Sequence, residues 1–246
     1  MNMTNRYQTV WENYWKSLSG APGEILWDVP PEQAAALDLA VFAEYVDPSL
    51  PMIDLGCGNG TQTRFLAEHF PTVIGTEISS QALAIATETD KGSQTSYRPL
   101  DLLDRGAVGA LHAEIGDANL YVRTVLHQFD PSDHAAAAGG IAELIGDHGV
   151  ATVVELSSVA EPFLTELIGG STPPPQLARI LQHEITPGLL DEHDIGALFP
   201  PDDFEVLASG PTAIRTCYTA PGGDQMMVPA FFVVLCGRRP EIAASQ

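Results

Sequence analysis

The chain has 246 residues, enough for one large domain or two small ones, and 45% of them are hydrophobic, which supports a sizeable core and argues against disorder. Its 32 acidic and 11 basic side chains leave a net charge of −21, a surface that repels phosphate backbones and anionic lipid heads and so disfavours nucleic-acid and membrane partners. The same acidity suits solubility or adaptation to salt, and it is compatible with a small neutral or cationic ligand.

In chain order, Tyr7, Trp11, Tyr14, Trp15 and Leu18 recur at i, i+4, i+7, i+8 and i+11, one face of a leading helix. The loop GAPGEILWDVPP (20–31) follows with Trp27, so that all three tryptophans lie in the first 27 residues. Such a stripe either docks on the core or closes as a lid over a flat or cationic ligand, with GAPG (20–23) as hinge. PMIDL (51–55) reads as a buried strand, 63–70 as a helix, 72–78 as a second strand and 80–89 as a second helix. A weaker third strand falls at 95–100, a fourth at 119–126, a helix softened by Gly139 and Gly140 at 133–146, and a fifth strand at 149–156. Strands alternating with helices predict a parallel sheet with helices on both faces.

The pattern changes after 157. A helix near 161–168, the breaker STPPPQ (171–176) and two further helical pieces lead to 194–199, stopped by Pro200 and Pro201. Two strands, 203–209 and 228–237, then follow without a helix between them and are expected to pair antiparallel. Cys57, Cys217 and Cys236 match neither a zinc spacing nor a disulfide framework. The opening MNMTNRYQTVWENYW lacks a signal-peptide core, and the apolar run 226–237 is short for a bilayer, so a soluble, cytoplasmic protein is expected.

The stretch IDLGCGNGTQT (53–63) sets Gly56, Gly58 and Gly60 directly after the first strand, where such sheets bind ligands and where glycine lets backbone approach them closely. Thr61 stands where a dinucleotide fingerprint wants a small apolar residue, which disfavours a nicotinamide oxidoreductase, and the lysine of a triphosphate loop is missing. Asp54 before the loop, Glu77 after strand two and Asp101 after strand three suit a nucleoside joined to a cationic or zwitterionic group, Glu77 being placed for ribose hydroxyls.

IDLGCGNGTQTRFLAEHFPTVIGTEISSQALAIA (53–86) resembles the first motif pair of class I S-adenosylmethionine-dependent methyltransferases, and the likeness extends more loosely over 49–237. It implies a Rossmann-like α/β fold: a seven-stranded, mostly parallel sheet with helices on both faces and a final antiparallel strand pair. It also implies S-adenosyl-L-methionine as cofactor, above a loop of Gly56, Cys57, Gly58 and Gly60 behind Asp54. Glu77 would take the ribose hydroxyls with Ile78 beside it, and Asp101 and Leu102 would lie by the adenine. WENYW and VRTVLHQFDPSDHAAAAGGIAELI are similar to thiopurine methyltransferases and their small-molecule relatives, which implies that Trp11 and Trp15 close over the cofactor and that Arg123 faces the acceptor. By this reading one domain spans 1–246: a helical lid or cap (1–48), a cofactor-binding half (49–156), an acceptor-side elaboration (157–201) and the terminal strand pair (202–246).

Methyl transfer to a hydroxyl or ring N–H acceptor calls for a base. His127, after strand four at the ligand edge of the sheet, is the first candidate and His134, opening the next helix, the second. Arg123 makes a structural ion pair, anchors an acidic or carbonyl-bearing acceptor, or touches the cofactor carboxylate, and Glu155 is a partner or an orienting group. Asp101, Asp104 and Asp130 form no metal-ligand pattern, and no metal is expected. The expected function is methyl transfer to an oxygen, nitrogen or sulfur atom of a small molecule by a monomer or homodimer. The alternative is a cyclase or accessory subunit that binds the cofactor without methylating.

Overall fold

Successive residues of the central strands point into two different cores. In the computed structural model, which describes residues 4–91, 95–169, 173–220 and 222–238, Ile53 and Leu55 of β1 (Met52–Leu55), Leu120 and Val122 of β4 (Asn119–Arg123) and Ala151 and Val153 of β5 (Val150–Leu156) share one cluster. Their neighbours Met52, Tyr121 and Val150 join another. Both faces are therefore buried, as the near-continuous apolar runs predict for a parallel sheet.

The remaining strands are β2 (Val73–Glu77), β3 (Ser96–Pro99), β6 (Phe204–Thr219) and β7 (Gln225–Gly237). The sheet runs β3-β2-β1-β4-β5-β7-β6, parallel through β5, with β7 antiparallel to both β5 and β6. Strand order reverses between β1 and β4, so a crevice opens at their carboxyl ends.

One face is covered by α5 (Arg105–Ile115), α6 (His134–Ile145) and α9 (Glu192–Leu198), the other by α2 (Ala35–Phe42) and α3 (Thr61–Leu66). Above the carboxyl edge, α1 (Thr4–Lys16), α4 (Ser80–Thr89) and α8 (Pro175–Gln182) meet through Tyr14, Trp15, Ala82, Leu177 and Ile180. A fourth cluster joins α7 (Glu161–Gly169) to β6 and β7 through Leu164, Ile214 and Val228.

Several expected bounds shift. The helix expected over 63–70 starts at Thr61 and ends at Leu66, and the fourth strand stops at Arg123 rather than 126. Thr124, at φ 62, turns the chain into a short 3-10 helix, Leu126–Gln128. The strand expected over 203–209 continues to Thr219. Within the expected breaker, residues 171 and 172 lie outside the described residues, as do 1–3 of the expected lid and 239–246 of the terminal segment.

Candidate active site

The glycine loop is built on left-handed backbone. Gly56, Gly58 and Gly60 have φ of 73, 55 and 77°, a region that costs an ordinary residue about 1–2 kcal/mol. The Gly56 and Cys57 N–H groups donate to Thr76 O on β2 at 2.8 and 2.9 Å, which ties the loop to the sheet. A Cβ on Gly56 would lie 2.6 Å from Val125, and one on Gly58 would lie 3.1 Å from the Trp15 ring. The loop is thus a tight cradle, where positive φ and the close Val125 and Trp15 side chains both disfavour a Cβ.

Beneath it, Asp54 accepts from Thr63 Oγ1 at 2.6 Å. Burial, reinforced by the nearby Glu77 charge and opposed by the Thr63 bond, pushes the Asp54 carboxyl up to about 7. Glu77 ends β2 and accepts three backbone N–H groups: Ile78 at 2.8 Å and Ser79 at 3.0 Å on Oε1, and Gly58 at 3.1 Å on Oε2. Burial raises its carboxyl above the usual range against those three bonds. A carboxylate offers about four acceptor positions, so Oε2 retains one. Asp101, after β3, accepts from Leu103 N at 2.9 Å, and its carboxyl is also raised by burial.

The leading helix is pinned at two places. Glu12 accepts from Ser79 Oγ, Ser80 Oγ and Gln81 N at 2.8, 3.0 and 3.1 Å, which fastens α1 to the start of α4. Burial would raise the Glu12 carboxyl, but these bonds and Lys16 prevail and hold it at about 2. Tyr7 donates to Asp133 Oδ2 and accepts from Asp130 N, both at 2.8 Å. Trp11 meets Trp27 edge to face at 5.8 Å, and Tyr14 stacks on Trp27 at 5.6 Å.

On the other side of the glycine loop, the 3-10 turn after β4 delivers His127, only 3% exposed. Glu155 of β5 is fully buried and accepts from Val125 N at 2.9 Å and Leu126 N at 2.7 Å through Oε1. Its Oε2 pairs with His127 Nδ1. A carboxylate can only accept, so Nδ1 carries the proton and Nε2 presents its lone pair, which faces the Gln128 amide.

These elements line one open-mouthed cavity. Trp11, Trp15, Gly56, Gly58, Glu77, Ile78, Asp101, Leu102 and His127 all line it. Asp54, Cys57 and Gly60 do not; Asp54 and Cys57 are buried supports, and Gly60 lies against Tyr97. Arg123 and His134 are also not among its lining residues. The Arg123 guanidinium lies 3.3 Å from Asp38, which also accepts from Tyr121 at 2.5 Å, so the structural ion pair describes it and the acceptor-facing placement is not what the geometry gives. His134 begins α6, and its buried Nε2 has no hydrogen-bond partner among the described residues. Sequence reasoning missed the far wall, Phe129, Leu156, Leu177, Ile180, Ile185, Pro187 and Ile214, because apolar residues from separate elements carry no motif. No group of three or more His, Cys, Asp or Glu that could hold a metal occurs among the described residues, and no helix among them is long and apolar enough to cross a membrane.

A glycine cradle, an acidic residue closing β2 and a crevice at the switch point of a seven-stranded sheet define a nucleoside-binding α/β protein. A methyltransferase-domain family model matches residues 52–149. The chain is similar to a SAM-dependent methyltransferase from Anabaena variabilis ATCC 29413, at 35% identity over 94% of this chain and 95% of that one, with a TM-score of 0.89. It is also similar in fold to a protein solved in connection with conversion of a disulfide bond into a thioacetal group during echinomycin biosynthesis (17% identity, 94% and 92% covered, TM-score 0.68). Magnesium protoporphyrin IX methyltransferase from Synechocystis PCC 6803, with bound S-adenosylhomocysteine, shares the fold as well (17% identity, 94% and 96% covered, TM-score 0.57). No curated protein matches the chain. The chain belongs to the class I S-adenosylmethionine-dependent methyltransferase family. It is an enzyme with the Rossmann-like fold of that family, and S-adenosylmethionine is its cofactor.

Proposed function

We propose that this enzyme methylates an oxygen or nitrogen atom of a small molecule, with His127 as the base that removes the acceptor proton. The observation that carries the reading is that His127 and the glycine loop line one cavity while Glu155 fixes the imidazole tautomer. A sulfur acceptor, as a thiolate, would not need that base.

The cradle fits the cofactor. Gly56 and Gly58 keep the backbone bare where a Cβ would crowd Val125 and Trp15, and Glu77 keeps one acceptor position on Oε2 for a ribose hydroxyl. Ile78, Asp101 and Leu102 would flank the base, and Trp11 and Trp15 would cover the methionine end. When bound, the cofactor supplies an activated methyl group on a sulfonium. Aromatic faces at that position are worth about 0.5–2 kcal/mol of cation–π attraction. Asp54, Cys57 and Gly60 act as supports of the loop.

His127 does the remaining chemistry. The Gln128 amide occupies Nε2 and yields to an acceptor hydroxyl or ring N–H, whose proton Nε2 takes as the bond to the methyl carbon forms. The test is a screen of an acceptor library read by release of S-adenosylhomocysteine. His127→Ala should lower kcat by about 10²-fold or more and leave cofactor affinity unchanged. Undiminished turnover by that variant would refute the base.

A further inference from the structure

The cavity has two chemically different ends. Its cofactor end, over β1, β2 and β3, carries both lining carboxylates, Glu77 and Asp101. Its other end, over β4 and β5, is walled by Phe129, Leu156 and Ile214, while Leu177, Ile180 and Ile185, packed with Trp15 and Ala82, add a hydrocarbon roof. Among the described residues, no lysine or arginine lines either end. The nearby guanidiniums are engaged elsewhere: Arg6 with Asp130, Arg179 with Glu24 and Arg123 with Asp38.

Resting on the methyltransferase reading above, we propose that the acceptor is a neutral, largely apolar molecule that presents a phenol-type hydroxyl to His127 Nε2. An anionic acceptor would leave water for a wall without a counter-charge, beneath a surface of net charge −21. An aliphatic amine would arrive as an ammonium and meet the same hydrocarbon wall, with both carboxylates at the opposite end. The hydroxyl must also be acidic enough for an imidazole. A phenol titrates at about 10, whereas an O–H like that of water, at about 15.7, lies too far away.

In the transfer, the bond between methyl carbon and sulfonium sulfur breaks and that sulfur keeps the electron pair. The phenolic oxygen bonds the methyl carbon, and its proton passes to Nε2. The products are a neutral thioether, a methyl aryl ether and an imidazolium paired with Glu155.

All three tryptophans of the chain line the cavity, so intrinsic fluorescence reports its occupancy. Three probes of one shape, 4-propylphenol, 3-(4-hydroxyphenyl)propionate and tyramine, are titrated into the full-length enzyme saturated with S-adenosylhomocysteine. The neutral phenol should bind at least tenfold tighter than either charged analogue. It should be methylated from S-adenosylmethionine at least a hundredfold faster than 4-propylcyclohexanol, and His127→Gln should keep its binding while losing that turnover. Equal or tighter binding of the propionate or of tyramine overturns the proposal, and so does a cyclohexanol turned over as fast as the phenol. Titration of S-adenosylhomocysteine alone tests the cofactor site separately from these outcomes.

Discussion

Glu155 holds His127 from behind: its Oε2 pairs with Nδ1 while its Oε1 accepts from Val125 and Leu126 N–H at 2.9 and 2.7 Å. One buried carboxylate therefore fixes both the backbone turn that carries the imidazole and the tautomer of its ring. Glu155→Gln keeps an acceptor for the turn but allows the amide to donate to Nδ1, which then places the proton on Nε2. The expected result is a fall in kcat of about tenfold or more with cofactor affinity unchanged, measured by steady-state methyl transfer beside a cofactor titration.

Glu12 makes the docking of α1 sensitive to acid. Its folded carboxyl is held at about 2 after burial is outweighed by the Gln81, Ser79, Ser80 and Lys16 bonds. A depressed folded value means that the stabilisation is complete above the ordinary Glu value of about 4.3 and is lost as pH falls from there toward 2. Hydrogen exchange over α1 should accelerate in that window, and Glu12→Gln should cost about 1 kcal/mol near neutral pH and flatten the acid dependence.

Gly58→Ala should disturb the cofactor end specifically. Its φ of 55° strains any side chain, and the new Cβ would lie 3.1 Å from the Trp15 ring. Gly116→Ala is the control, since it also has positive φ but an open position with nothing within 4 Å. Both variants should lose about 1 kcal/mol of stability, and only the first should bind S-adenosylhomocysteine about tenfold more weakly by fluorescence titration.

The strand-to-helix glycines, the alternation through β5 and the antiparallel end of the sheet were legible because each follows from local backbone or period. The length of β6 was not. The expected strand ended at 209, before Gly210 and Pro211, yet β6 is the edge strand, where proline costs no central ladder bond. Helix α5 stayed hidden because Gly106 and Gly109 weaken its propensity; Asp104, whose carboxylate accepts from Gly106 and Ala107 N–H, was the available signal. At the site, His127 was placed by its position after β4, whereas Arg123, four residues earlier, turned to the opposite side of the sheet. The tertiary contact with Asp38 that draws it there spans 85 positions and leaves no local trace.

Arg123→Met separates structure from chemistry. Removing one member of a buried pair leaves Asp38 uncompensated, and Asp38 already has its carboxyl raised by burial in spite of Arg123. The variant should lose about 3 kcal/mol in denaturant unfolding. Its folded fraction should turn over at the wild-type rate, since the guanidinium does not line the cavity.

The most direct test of the account is calorimetric titration of S-adenosylhomocysteine into the wild-type enzyme and Glu77→Ala, each checked for folding by circular dichroism. Binding to the wild type should fall in the micromolar range, about −8 kcal/mol, and the variant should lose about 1–3 kcal/mol, because the Glu77 carboxylate that lines the cavity is gone. Equal affinity in the two folded proteins would contradict the placement of the cofactor against Glu77 and the glycine cradle.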